Sequence, residues 1–207
     1  MKENFARRLV VMFVGVFFIG LGVTLFRLSL MGNDPSTALA IAFGNKAGLA
    51  LSIALIIANT AYFLVEILLG RRMIGIGTFV NWFGVGYAAD FCAWLIGLFL
   101  TMPGNFLIRL AVMAVGVLIL SLGGALYQTA NVGIAPYDAV SLIMAERLPL
   151  PYFWCRIITD SCCAAAAWLL GGIIGLGTLV CALGLGPFIT FFTRTVAQPL
   201  CETGKKV

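Results

Sequence analysis

The residues able to do chemistry in this chain of 207 are few, and several of them gather at two matched places. Asp34 stands directly before Pro35, with Thr37 two positions on; Pro136 opens the run Pro136-Tyr137-Asp138. A carboxylate at the start of a helix satisfies free backbone N–H groups and faces the positive end of the helix dipole. Set in an apolar surround, it can also take a cation or a proton. Arg156 and Asp160 lie four residues apart, the spacing that puts both on one helical face. Asn59 is the counterpart of Asp160 in an internal repeat described below. Asp34, Pro35, Thr37, Asn59, Pro136, Tyr137, Asp138 and Asp160 are therefore the candidate solute-binding residues. Arg27, Asp90 and Arg156 are candidates for coupling or ion pairing, because ionisable groups at membrane depth are costly and mark a site by default.

Each of these has a plainer reading. Arg156–Asp160 is also what a pair near the membrane boundary looks like, and Asn59 is also a good interhelical hydrogen-bonding residue. Asp90 can sit at an aqueous helix end, and Asp138 can simply satisfy amides of a first helical turn. Arg27 can reach outward to water or hold an anionic group close to Asp34. Glu66 with Arg71 and Arg72 reads as an inner rim of snorkelling side chains.

What is missing narrows the chemistry further. There is no histidine, which removes the commonest base and metal ligand. The six cysteines form no C-x-x-C and fall mostly in apolar stretches, as buried small hydrophobes do. Catalysis is not expected, nor is a metal or any other cofactor. Gly75-Ile76-Gly77-Thr78 and Gly175-Leu176-Gly177-Thr178 lack the lysine and spacing of a phosphate loop. They are assigned to close helix packing through small residues.

The elements that must position these groups are membrane helices. Hydrophobic residues make up 62% of the chain and charged residues 10%, with a mean hydropathy of +1.08. Soluble domains carry about 25% charged residues. A helix needs about 20 apolar residues to cross a bilayer, and six stretches are candidates: 9–30, 47–69, 74–98, 107–129, 152–170 and 173–193. The fifth is the shortest and holds Arg156 and Asp160. With the N-terminus inside, 10 of the 13 basic residues fall on the cytoplasmic side, the positive-inside bias. Both termini are then on the cytoplasmic side of the membrane. The net charge of +5 follows from this topology and not from nucleic-acid binding, since no basic patch with interleaved aromatics occurs.

The chain also repeats itself. Residues 8–38 and 109–139 align without a gap at 13 identities in 31, and 74–86 and 174–186 at 7 in 13. The expected fold is all-α, with about six transmembrane helices in two three-helix repeats. Residues 1–104 form the first repeat, 105–196 the second and 197–207 a cytoplasmic tail. Three spans per repeat would make the second enter from the opposite face, the inverted arrangement of many transporters. In each half a glycine, a short spacer and a proline precede a helix too short to span. These short helices either dip into the membrane to line a cavity or lie flat at its surfaces.

Several of these residues also carry a family resemblance. The G-x-x-P of residues 32–35, the G-x-x-P-Y-D of 133–138, Arg156 ahead of Asp160, the GG-x-x-GxGT of 171–178 and the GLGPFI of 184–189 resemble the YczE/YyaS/YitT-type bacterial membrane proteins. The resemblance covers about residues 8–192 and is nearest to the shorter YczE-like members that lack a soluble C-terminal domain. It implies an integral membrane fold and little about activity. Two functions are carried forward. One is a small transporter of an unidentified solute, with proton or cation coupling. The other is a non-transporting scaffold or regulator whose partner is another membrane protein or a second copy of the chain.

Overall fold

The computed structural model describes residues 2–99 and 104–202. Among them there is no strand. The helices are α1 (Lys2–Ser29), α2 (Pro35–Ala47), α3 (Leu51–Leu69), α4 (Ile76–Phe99), α5 (Phe106–Ala130), α6 (Pro136–Arg147), α7 (Tyr152–Leu169), α8 (Leu176–Phe192) and α9 (Gln198–Glu202). A 3-10 turn, Arg71–Met73, leads into α4, and a π-helical turn, Thr193–Ala197, joins α8 to α9.

Local chemistry sets these boundaries. Asp34 caps α2 by accepting from the Thr37 N–H at 3.1 Å, and Pro35 fills the first helical position, where a missing donor costs nothing. The helix ends at Gly48, whose φ of +66° suits a residue without Cβ. Asn105 caps α5 through Leu107, and Asn131 closes it in the left-handed conformation. The bends that follow α1 and α5 need Gly32 and Gly133, with φ of +96° and +134°.

Among the described residues, five helical segments are long and apolar enough to cross a membrane: Phe5–Ser29, Leu51–Leu69, Ile76–Phe99, Phe106–Ala130 and Leu176–Cys201. The fifth expected span, 152–170, forms α7 but falls short, because its 18 residues carry Arg156 and Asp160, which lower its hydropathy. The last span runs past 193, since the π-helical turn lets the helix continue into α9. Residues 198–202 of the expected tail are therefore helical, and 203–207 lie outside the described residues. Large apolar side chains point outward, among them Phe79, Phe83, Phe91 and Trp94 on α4 and Leu179, Leu183 and Phe191 on α8. An outward apolar surface is what lipid requires and water penalises.

At the centre, α1 and α5 cross antiparallel, and they meet through glycine. A Cβ placed on Gly22 would lie 2.8 Å from the Leu120 Cβ, and one on Gly123 would lie 2.6 Å from the Ile19 nitrogen. Leu120 is the repeat counterpart of Ile19, so each contact is the other with the halves exchanged. Packing around this crossing follows the same pattern: α4 packs on α1 and α8 on α5, while α2 packs on α7 and α3 on α6. The Gly77 N–H donates to the Val132 carbonyl at 2.8 Å, and the Gly177 N–H to the Met31 carbonyl at 2.7 Å. Gly75, Gly77 and Thr78 thus meet the loop before α6, and Gly175, Gly177 and Thr178 the loop before α2. The small residues do permit close approach, chiefly to loop backbone of the other half, with Gly177 also against Phe26 of α1. Thr78 and Thr178 turn their hydroxyls back to accept from Gly75 and Gly175.

Candidate functional site

The two proline-started helices bring their first turns to a single polar cluster. On α6, Pro136 sets the helix start, Tyr137 is buried and Asp138 is half-buried within the first turn. The α6–α7 hairpin then aligns α7 so that Arg156 and Asp160, one turn apart, both face α6. The Arg156 guanidinium binds the Asp138 carboxylate and lies 3.3 Å, through Nε, from the carboxylate of Asp160. It also sits over the Tyr137 ring, 4.7 Å from the centroid, a cation–π contact. The Tyr137 hydroxyl donates to Asp160, which is buried. One turn along, Ser141 and Thr159 share a hydrogen bond of 2.8 Å, and Thr159 also donates to the Arg156 carbonyl.

The first half completes the cluster with milder chemistry. Asp34 caps α2, and α2 packs on α7, the helix of Arg156 and Asp160, with no ion pair from Asp34 to either among the described residues. Tyr62 of α3 packs its ring against Tyr137 with centroids 5.1 Å apart, and its hydroxyl meets the Cys163 sulfur at 3.3 Å. Asn59, one turn earlier on α3, is buried. The contact of Tyr62 with Cys163 joins two positions that are counterparts in the repeat.

Asp34, Pro35, Pro136, Tyr137, Asp138, Arg156 and Asp160 thus come together, with Thr37 supplying the capped amide. Arg27 and Asp90 do not join them. Arg27, its side chain 45% exposed, pairs with Asp90 at 3.8 Å, between α1 and α4. Asp90 also accepts from the Ser52 N–H at 3.0 Å, so it serves the open N-terminus of α3, which has no side-chain cap of its own.

The expected rim of Glu66, Arg71 and Arg72 does not form. Glu66 is fully buried, and neither of its carboxylate oxygens has a hydrogen-bond partner among the described residues. The 3-10 turn carries the arginines away: Arg71 Nε donates to the Ile67 carbonyl, and Arg72 pairs with Glu146. An open depression of about 560 Å³ lies beside that pair, lined also by Gly75, Asn131 and Gly133. None of Asp138, Arg156 and Asp160 lines it. Tyr62, Cys163 and Ser141 were not singled out in the sequence, since hydroxyls and thiols in apolar helices are common. The one signal that could have found Tyr62 and Cys163 is that they are repeat counterparts.

Chemically, the cluster sets three carboxylates against one guanidinium. Buried ion pairs persist only when charge and hydrogen bonding are both matched. Here Arg156 matches one carboxylate in charge, and hydrogen bonds from Tyr137 and the Thr37 amide serve the others. The remaining negative charge suits a proton or a cation.

A model of a family of unknown function, DUF6198, matches residues 6–194. A Bacillus subtilis protein called uncharacterized membrane protein YczE is 26% identical over 192 residues, covering 92% of this chain and 87% of the relative. An uncharacterized protein of Haemophilus influenzae is 26% identical over 180 residues, 87% of this chain and 80% of its own length. The Bacillus subtilis protein YyaS is 25% identical over 175 residues, 83% and 86% of the two chains. The resemblance seen in the glycine, proline and aspartate motifs is thus met by relatives of those names. No solved structure matches.

Proposed function

The chain belongs to the DUF6198 family, a family of unknown function, and we propose that it is a small carrier in the bacterial cytoplasmic membrane. Its solute site is the cluster of Asp34, Tyr137, Asp138, Arg156 and Asp160, and its transport is coupled to a proton or cation. One observation carries this reading. Two proline-started helices, one from each half, open onto a polar centre with more carboxylates than guanidinium. Broken helices at matched positions are the best pointer to a transporter site.

In this reading the halves are inverted repeats about an axis in the membrane plane, with α7 as the sixth crossing and both termini cytoplasmic. Exchange of the Gly22–Leu120 and Gly123–Ile19 contacts supports that symmetry, as does the swap of Gly77–Val132 with Gly177–Met31. Residues on a twofold axis touch their own counterparts, and Tyr62 touches Cys163. Alternating access then comes from one half rocking against the other over the glycine crossing. Reporter fusions at both termini test the topology: a periplasmic C-terminus would remove the symmetry argument.

The solute is found by comparing metabolites of a deletion strain and its complement, then measuring flux of the compound that differs in proteoliposomes. Asp138→Ala should abolish that flux while the purified protein stays monodisperse. Normal flux from well-folded Asp138→Ala protein would end the claim. The second reading, a scaffold for other membrane proteins, draws on the way Arg156, Asp138, Asp160 and Tyr137 satisfy one another. It expects no flux, and co-purification with a specific membrane protein.

A further inference from the structure

Glu66 is the least explained charge in the molecule. It lies in the last turn of α3, with 0% of its surface exposed and both carboxylate oxygens without a partner among the described residues. Three costs fall on its ionised form. Removing a carboxylate from water costs several kcal/mol even after relaxation. No cation offsets that loss, because α3 has no basic residue in its last turn. Finally, the carbonyl end of a helix carries partial negative charge, which repels an anion.

The surrounding groups do not change this balance. From the turn after α3, Arg71 is bound to the Ile67 carbonyl and Arg72 to Glu146. From α6, Arg147 donates to the Leu69 carbonyl, and Asp138 is held by Arg156. On α3 itself, Tyr62 faces Cys163, which belongs to α7. At the far end of α3, Asp90 of α4 caps Ser52, and Asp34 before α2 caps Thr37. From α5 comes Tyr127, buried, its hydroxyl also without a hydrogen-bond partner among the described residues.

Packing does not call for a carboxylate here. The repeat counterpart of Glu66 is Ala167, where α7 packs on α2 through Ala38 and Ala42. The same position therefore works with a methyl group. An acid retained where the fold accepts alanine, buried and unpaired, points to a ligand that neutralises it. A bound metal cation takes several oxygen ligands, and no group of three or more Cys, Asp or Glu side chains able to hold one occurs among the described residues. A proton needs only one oxygen.

We propose that Glu66 is a proton-binding site. The step is simple proton exchange: a proton from water adds to one carboxylate oxygen to give the neutral acid, and returns to water on release, with no other bond changed. That this proton is coupled to solute movement rests on the carrier reading above; that it binds does not.

Infrared difference spectroscopy on the purified full-length protein, between acidic and alkaline buffer, tests this without any transport. The wild type should show the carbonyl stretch of a protonated carboxylic acid at neutral pH, shifted in deuterium oxide. Glu66→Gln should lose that band and Asp138→Asn should keep it. Glu66→Asp, which keeps an acid at the site, should retain the band at a shifted frequency, which covers the case of a Gln variant that fails to fold. Absence of the band in wild type, or its persistence in Glu66→Gln, would overturn the proposal. So would its removal by sodium chloride at constant pH, which would make the site one for a metal cation. Absence of solute flux in proteoliposomes with the band intact would sink the carrier reading alone.

Discussion

The two walls of the polar cluster occupy equivalent places in their halves and differ in chemistry. The second half puts Tyr137, Asp138, Arg156 and Asp160 where the first puts Ser36, Thr37, Leu55 and Asn59. The backbone events are shared: a glycine at positive φ, a proline start and a helix N-terminus aimed inward. The charges are not shared: Asp34 is the first half's carboxylate in the cluster, and its repeat counterpart is Ala135. Geometry in this molecule is a property of both halves, whereas the charged chemistry is concentrated in one. A solute bound between them would meet a charged wall on one side and hydroxyl, amide and apolar groups on the other.

The hardest test of that contrast is to make the charged wall resemble the neutral one. Arg156→Leu alone strands Asp138 and Asp160 beside each other, and removing one partner of a buried pair costs about 3–5 kcal/mol. Thermal unfolding in detergent should show a large loss. Adding Asp138→Thr and Asp160→Asn, which completes the first half's pattern, should recover most of it. If the triple variant is no more stable than Arg156→Leu, the ion pairs are not what organises this wall.

Backbone equivalence has its own test at Gly32 and Gly133. Alanine at either is strained by positive φ and would meet backbone of the other half at 2.9 Å. Each should lose at least about 1–3 kcal/mol, the cost of holding such a conformation, and the two losses should be similar. A large loss at one and none at the other would separate the halves in geometry as well as chemistry.

Smaller effects are expected at the helix starts themselves. Asp34→Ala removes the only side-chain cap on α2 and should lower stability by about 0.5–2 kcal/mol. Thr37→Ala leaves the capped backbone amide in place, so stability and flux should both change little. A null Thr37→Ala variant with normal folding would show that the neutral wall contributes chemistry after all.

Much of this arrangement was legible in the sequence, because it depends on local rules. The Asp34 cap, both proline starts and the shared face of Arg156 and Asp160 follow from spacings of one to four residues. What escaped depends on how helices cross and turn. Glu66 looked like part of a basic rim because Arg71 and Arg72 follow it closely, yet the 3-10 turn after Leu69 sends those side chains elsewhere. Arg27 found Asp90, more than sixty positions away, which no spacing rule connects. Spans were read well where apolar content decides. They were read less well in α7, where the charges that make it interesting also lower its hydropathy.

The paired hydrogen bonds of Gly77 to Val132 and Gly177 to Met31 bear on how the molecule is made. When the ribosome has delivered α4 to the bilayer, the Gly77 amide points at a loop that does not yet exist. A backbone amide away from water needs an acceptor, so the first half is unfinished until that loop follows. Translation of residues 131–135 supplies its missing acceptor, and α8, inserted last, finds Met31 already waiting. Neither half reaches its final state by itself, and assembly closes only once α8 has joined.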